Sequence, residues 1–258
     1  MTRFKHNNKC LYSDLGVVPL PGAERLMSAA RDRRLSGDIP DLVLFMAHPP
    51  TIALGLRDRS EEHPRDLFVS PQKLKEEGIA LVKSVRGGGI TYHWPGQVVC
   101  YPVLLLKPEE RDVPAHMNRL EEVGIRTLRE YGVNVSRRRN SSAHVGLWIG
   151  NAKFASMGIR ISRWVTTFGF VINLEGDHKP SAYIRPCGID DAELETVEEL
   201  LGHAPPRSRM METIRKYFAE VLGRTLEPMP RSLVQEIRSP IDMSDAQMPE
   251  QDGRNEHK

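Results

Sequence analysis

The stretch FASMGIRISRWVTTFGFVINL, Phe154 to Leu174, decides the fold class. Phe154, Ser156, Gly158 and Arg160 alternate with Ala155, Met157, Ile159 and Ile161, the two-residue period of a strand. Residues 167–174 read as a second strand, and residues 147–149 just upstream as another. Consecutive antiparallel strands, in a chain that also carries helical patterns, point to an α+β fold. We expect a mixed or largely antiparallel sheet flanked by helices.

Outward from that core, the clearest helix is 117–131. Leu120, Val123, Thr127, Leu128 and Tyr131 form its apolar stripe, and Gly132 closes it. Other helices are expected from Pro21 to Gly37, from Ser70-Pro71 to Gly78, and over 193–201 and 209–222. Residues 42–47, 80–85 and 98–106 read as further strands. One domain is expected over residues 1–230. From 231 to 258 aromatics vanish and Asp, Glu, Gln, Pro and Arg dominate, so a disordered tail is expected there.

A chain of 258 residues has ample length for a sizeable core. Its 36 basic and 34 acidic residues leave a formal charge of +2, too balanced to suggest nucleic-acid or membrane binding. The apolar run 98–106 is about half a membrane span, and Pro102 interrupts it. The opening MTRFKHNNKCLYS carries no apolar secretion signal, so a cytoplasmic location is expected. Cys10, Cys100 and Cys187 are odd in number, far apart and without a CxxC, which argues against a disulfide framework or a structural zinc.

The chemistry concentrates in three places. In RGGGITYHWPGQ, residues 86–97, Gly87, Gly88 and Gly89 can bring bare backbone N–H groups to a ligand, and Arg86 can pair with an anion or a carbonyl. No GKS or GKT follows, so it is not a P-loop. Pro95 would stop a helix, so it is not a dinucleotide fingerprint. A bulged strand connection explains the glycines alone equally well, but Tyr92, His93 and Gln97 tilt the reading towards a ligand-lining loop. His93 can serve catalysis, binding or the orientation of a neighbour. Lys153, at the head of the alternating segment, is either a solvated amine or a partly buried cation beside a site. Cys187, in YIRPCGID, sits between Pro186 and Gly188 in turn-rich sequence and reads as a reactive thiol. Cys10 and Cys100 fit inert buried positions. No GxSxG, HxH or HExxH supports a serine hydrolase or a metal site.

Together these blocks resemble the lipoyl(octanoyl) transferases, the LipB family. The carrying residues are Arg86-Gly87-Gly88, Thr91-Tyr92-His93 and Pro95-Gly96-Gln97, followed in order by Gly146-Leu147-Trp148 with Lys153. Gly158-Ile159-Arg160, Asn173 and Pro186-Cys187-Gly188-Ile189 complete the set. The chain departs from the pattern at Ala47, Trp94, Phe168 and Val197, where the family usually carries Glu, Gly, His and Ser. Trp94 is expected to narrow the mouth of the pocket.

The resemblance implies a fold like the catalytic domain of biotin and lipoate protein ligases. It implies transfer of an octanoyl or lipoyl group from acyl carrier protein, through a cysteine thioester, to a lysine of a lipoyl domain. The acceptors would be 2-oxoacid dehydrogenases or the glycine cleavage H protein, with no cofactor and no metal. By matching position, Cys187 is the acyl-bearing nucleophile and Lys153 the group that favours its thiolate. Arg86, Gly87, Gly88, Gly89, Ile90, Thr91, Tyr92 and His93 would line the acyl-thioester site. Ser156, Met157 and Gly158 would join them, with Gly169, Phe170 and Val171 from the next strand. The rivals are an ATP-dependent ligase or a lipoyl amidotransferase of the same fold, and a non-catalytic module that binds lipoyl domains or acyl carriers. An adenylating ligase has no use for a covalent thiol, which weighs against the first.

Overall fold

A computed structural model describes residues 8–60, 64–138, 145–190 and 192–242; the side chains of Cys187 and of residues 240–242 lie outside the description. In chain order the elements begin with β1 (Lys9–Val17), α1 (Leu20–Ser36), β2 (Asp41–Ala47), β3 (Thr51–Leu54), α2 (Pro71–Glu76) and β4 (Ala80–Lys83). Next come β5 (Thr91–His93), β6 (Gln97–Val103), α3 (Val113–Glu130), β7 (Ser136–Arg137) and β8 (Gly146–Ile149). The chain continues with β9 (Ala152–Ser162), β10 (Val165–Asn173), β11 (Glu193–Leu194), α4 (Val197–Leu201), α5 (Arg207–Leu222), β12 (Thr225–Pro228) and α6 (Arg231–Asp242).

The 154–174 stretch is the hairpin β9–β10. Its two turn residues, Arg163 and Trp164, both have positive φ (48° and 63°), the twist that matches a tight antiparallel pair. Around it the large sheet runs β12-β1-β2-β6-β10-β9-β8-β7, with β11 added beside β9. The sheet is mixed. The pairs β1–β2 and β1–β12 are parallel, while β2–β6, β6–β10, β10–β9 and β9–β8 are antiparallel. One face packs on α1 and α6 through Leu26, Met27, Leu44, Tyr101 and Ile237. The other packs on α3 and α5 through Leu120, Val123, Phe170, Ile214 and Phe218. A second sheet, β4-β3-β5, holds its own small core of Ile52, Leu74, Tyr92 and Trp94. No described helix is long and apolar enough to cross a membrane.

Local capping explains the helix starts. The Asp112 carboxylate accepts from the Ala115 N–H at 2.9 Å, and the Ser70 hydroxyl accepts from the Lys73 N–H at 3.2 Å. Two expectations are corrected. Residues 193–201 do not form one helix. Glu193–Leu194 pair with β9, and Thr196 starts α4 only at Val197 by accepting the Glu199 N–H at 3.1 Å. The chain from 231 does not become a tail at once, because Leu233, Val234 and Ile237 share a face that covers α1. Residues 243–258 lie outside the described residues.

Pro102 sits inside β6, opposite Val43 of β2. On its other side the β10 register runs from Phe170 opposite Cys100 to Val165 opposite Leu105, which puts Phe168 opposite the proline. A proline offers no N–H there, so the ladder is interrupted. Thr166 bridges the gap, its hydroxyl donating to the Pro102 carbonyl at 2.8 Å and accepting from the Leu104 N–H at 3.0 Å.

Candidate active site

A cavity of about 170 Å³ lies between the 86–91 loop and strands β9 and β10. The loop rests on β9 backbone to backbone. Gly87 N–H donates to the Ile159 carbonyl at 3.2 Å, and a Cβ on Gly87 would stand 2.7 Å from the same oxygen. Only glycine fits that approach. Arg86 fastens the loop from within. Its guanidinium donates to the carbonyls of Ala53 (3.0 Å), Gly89 (2.6 Å) and Gly87 (3.1 Å). Ser84, whose hydroxyl donates to the Glu24 carboxylate at 2.5 Å, ties the approach of the loop to α1.

Lys153 lines the cavity and is 1% exposed, exceptional for a lysine. Its Nζ lies 5.0 Å from the centroid of the Trp148 ring. Gly146 makes the room: at φ +143°, a Cβ there would come 2.4 Å from the Lys153 Cε. The Lys153 carbonyl is fixed as well, accepting from the Asn173 amide at 2.9 Å and from the Glu195 N–H at 3.1 Å.

From that carbonyl a relay of amides reaches His93. A backbone carbonyl can only accept, so Asn173 presents its NH₂ to Lys153 and its oxygen to Gln97. Gln97 Nε2 donates to Asn173 Oδ1 at 2.9 Å, leaving Gln97 Oε1 to accept from His93 Nδ1 at 3.0 Å. His93 therefore carries its proton on Nδ1, and its Nε2 is a lone pair with no partner among the described residues. Burial holds His93 well below the usual imidazole range, and the neighbouring His48 and Arg86 push the same way. His48, 5.1 Å away ring to ring, is fixed by the same logic. Its Nδ1 donates to the Val18 carbonyl at 2.6 Å and its Nε2 accepts from the Tyr101 hydroxyl at 3.1 Å. Burial lowers His48 to about 4.

The cavity wall gathers most of the residues singled out in the sequence. Arg86, Gly87, Gly88, Gly89, Ile90, Thr91 and His93 line it on the loop side. Lys153, Ser156, Met157 and Gly158 line it from β9, with Gly169 and Val171 from β10. Tyr92 and Phe170 do not line it. Strand alternation turns Tyr92 into the small-sheet core and Phe170 into the core under α3 and α5. Trp94 does not narrow the mouth. It is 2% exposed, stacks on Tyr92 at 5.5 Å, and donates its indole N–H to the Glu175 carbonyl at 2.8 Å.

The Cys187 side chain lies outside the described residues, but its backbone forms a single turn, Pro186–Gly188, with Gly188 at φ +70°. Arg57, which the sequence reading missed, stands between that turn and the cavity. A Cβ on Gly188 would lie 3.7 Å from the Arg57 guanidinium, and one on Gly89 would collide with it. Tyr101 and Phe168 were also missed as cavity residues. Nothing in a strand pattern marks them, since their exposure to the cavity depends on neighbouring strands. Cys10 and Cys100 are buried, and burial raises both thiols well above their ordinary range.

Comparison with known proteins shows the family and the fold. The profile of the lipoyl protein ligase A/B catalytic domain matches residues 24–219. The octanoyltransferase of Caldicellulosiruptor saccharolyticus is 31% identical over 224 residues, covering 86% of this chain and 93% of the relative. That of Chloroflexus aurantiacus is 37% identical over 213 residues, covering 81% and 90%. Among solved structures, a lipoate-protein ligase A bound with ATP superposes with a TM-score of 0.68 at 15% identity, covering 92% of this chain and 95% of that one. The bipartite lipoate protein ligase of Thermoplasma acidophilum gives 0.64 at 16% identity, covering 91% of each, which speaks to fold alone. The chain belongs to the lipoyl protein ligase A/B catalytic-domain family and, within it, to the octanoyltransferases.

Proposed function

We propose that this octanoyltransferase works through a covalent thioester on Cys187, with acyl carrier protein as donor and a lipoyl-domain lysine as acceptor. The observation that carries the reading is the buried Lys153 amine in the wall of a short apolar cavity, whose rim residue Arg57 adjoins the Cys187 turn. The thiolate sulfur of Cys187 attacks the carbonyl carbon of the octanoyl thioester, and the carrier's thiolate leaves, taking a proton from Lys153 and leaving that amine neutral. A cationic Lys153 favours the Cys187 thiolate over the thiol. In the second step the acceptor amine attacks the enzyme thioester, the C–S bond breaks, and the amine's proton passes to Lys153 in its neutral form. Stabilising the oxyanion of each tetrahedral intermediate calls for backbone N–H groups of the Cys187 turn or the glycine loop. Exchange between thioesters is nearly isoenergetic and thioester to amide is downhill, so the cycle needs no ATP. The alkyl chain binds by burial, at about 0.8 kcal/mol per CH₂.

Intact-mass spectrometry of the protein mixed with octanoyl-carrier protein tests this. One octanoyl adduct is expected, lost in Cys187→Ser and discharged by an apo lipoyl domain. An adduct that survives Cys187→Ser rules out the covalent role of that thiol. Acylation of the lipoyl domain only from free octanoate and ATP favours the ligase chemistry instead.

A further inference from the structure

We infer that Phe168 sets the length of acyl chain this enzyme accepts, its ring closing the end of the cavity furthest from Lys153. The inference rests on the octanoyl-transfer reading above. Register supplies the geometry. Ile159 of β9 lies opposite Phe168 of β10, Gly158 opposite Gly169, and Ser156 opposite Val171. The Lys153 side chain runs along β9 to the level of Gly146, where a Cβ would stand 3.2 Å from its Nζ. Gly146 lies opposite Ser156, so the amine is three residues, roughly 10 Å of extended strand, from Ile159. All of these residues except Gly146 line the same cavity, so it runs lengthwise along the strand pair with Lys153 and Phe168 towards opposite ends. An acyl group reacting beside Lys153 therefore directs its alkyl tail towards Phe168.

The ring is put there by a backbone reversal. Phe168 has φ +59°, a conformation that is a genuine outlier for a bulky residue. Plain alternation would send Phe168 to the side of Phe170, into the core beneath α3 and α5. The reversal instead places it with Met27, Tyr101 and Val171 on the α1 side. Pro102 opposite has no N–H, so turning the Phe168 peptide over forfeits no ladder bond there. The Phe168 N–H finds the Met27 sulfur at 3.2 Å. Gly169 keeps the flank bare, since a Cβ on it would stand 2.3 Å from the Cys100 carbonyl. Tyr101 meets the ring edge to face at 5.6 Å and is itself held by His48. Strained residues persist where their surroundings over-determine them, and such sites cluster at ligand clamps. The volume agrees. An apolar cavity of about 150 Å³ takes up benzene. The 170 Å³ here suits a short chain, and a longer one must displace the ring.

The test is acyl selectivity. Rates of transfer to a lipoyl domain are measured from hexanoyl, octanoyl, decanoyl and dodecanoyl carrier thioesters, for the unaltered enzyme and for Phe168→Leu and Phe168→Gly. The glycine variant also relieves the positive φ. A methylene in an apolar pocket discriminates by roughly 10–200-fold. The dodecanoyl-to-octanoyl ratio of kcat/KM should thus rise at least tenfold in both variants, most in Phe168→Gly. A ratio that stays within twofold overturns the role of Phe168 and leaves octanoyl transfer standing. If the unaltered enzyme transfers none of the four, the octanoyl-transfer reading falls, and this inference with it. A second measurement needs no variant. An octanoyl donor with a diazirine at its terminal carbon should photolabel Phe168, Tyr101 or Ile159. Labelling confined to Met117 or Val145 places the tail at the other end and overturns the inference.

Discussion

The Gln97 side chain shows how a single residue decides the chemistry of another. Its amide stands between Asn173 and His93 and fixes the direction of every hydrogen bond in the relay that begins at the Lys153 carbonyl. Gln97→Leu should therefore leave the Nδ1–H of His93 without its acceptor and the Asn173 oxygen without its donor. Each orphaned buried group costs roughly 1–3 kcal/mol, read as a lower urea midpoint. Imidazole ¹⁵N shifts should show the Nδ1–H tautomer in the unaltered protein and a mixture in the variant. Identical tautomer populations would mean that something other than the relay fixes the ring. At this scale the sequence was partly legible. His93, Gln97 and Asn173 stood out within motifs, yet their sequence separation hid that they form one chain. Lys153 was readable as a buried cation or a solvated one, and only Trp148 and Gly146, folded around it, decide for burial.

At the scale of elements, the small sheet β4-β3-β5 carries the glycine loop, and Trp94 is its keystone. Trp94→Ala should destabilise the fold by about 3–5 kcal/mol, the range for deleting a buried aromatic side chain. The octanoyl-to-dodecanoyl preference should not move, because Trp94 stacks on Tyr92 outside the cavity wall. Thermal unfolding and the acyl series together check this, and a changed preference would return Trp94 to the pocket. In the arginine run Arg137-Arg138-Arg139, the two described residues are likewise engaged locally, and Arg139 lies outside the described residues. Arg137 pairs with Glu121 and Glu122, and Arg138 lies 4.6 Å from the Trp148 centroid. Elements with a full period of apolar residues, such as α3, β2 and the β9–β10 pair, were legible. The two-residue β11, the short β3 and the β12 edge were not. Their pairing comes from the neighbouring strand, and so few residues carry no period.

Across the whole molecule, buried charge and buried neutral histidine set the response to pH. Arg34 and Arg224 meet Asp41 at 2.6 Å and 3.2 Å, and Arg224 also binds Glu110 at 2.7 Å, joining α1, β2 and the end of α5. Burial alone would raise the Glu110 carboxyl, but the Arg224 hydrogen bond and charge outweigh it and hold it at about 2. His48 and His116 are lowered to about 4, chiefly by burial, and burial likewise holds His93 well below the usual imidazole range. Their unfolded forms bind protons near pH 6.5, and the folded forms refuse them until about pH 4. Stability from these groups is therefore complete above pH 6.5 and falls as pH drops towards 4. The slope is at most about 1.4 kcal/mol per pH unit for each histidine. Glu110 adds a further loss between pH 4.5 and 2. Urea unfolding from pH 8 to 4 should show this decline. His116→Leu should shallow it, since neither His116 nitrogen has a partner among the described residues. A flat profile between pH 7 and 5 would contradict the buried neutral state.

The sequence by itself determined the fold class, the main helices and strands, and the residues around which a site could form. Those features rest on local periodicity and turn chemistry, which travel with the chain. It could not determine which faces of β5 and β10 meet the cavity, that Trp94 belongs to a core, or that Phe168 reverses against Pro102. Nor could it show that Arg57 stands beside the Cys187 turn. Each of these depends on pairs of residues far apart in sequence. Their positions follow from sheet register and from how closely two backbones can approach, and only the folded chain sets both.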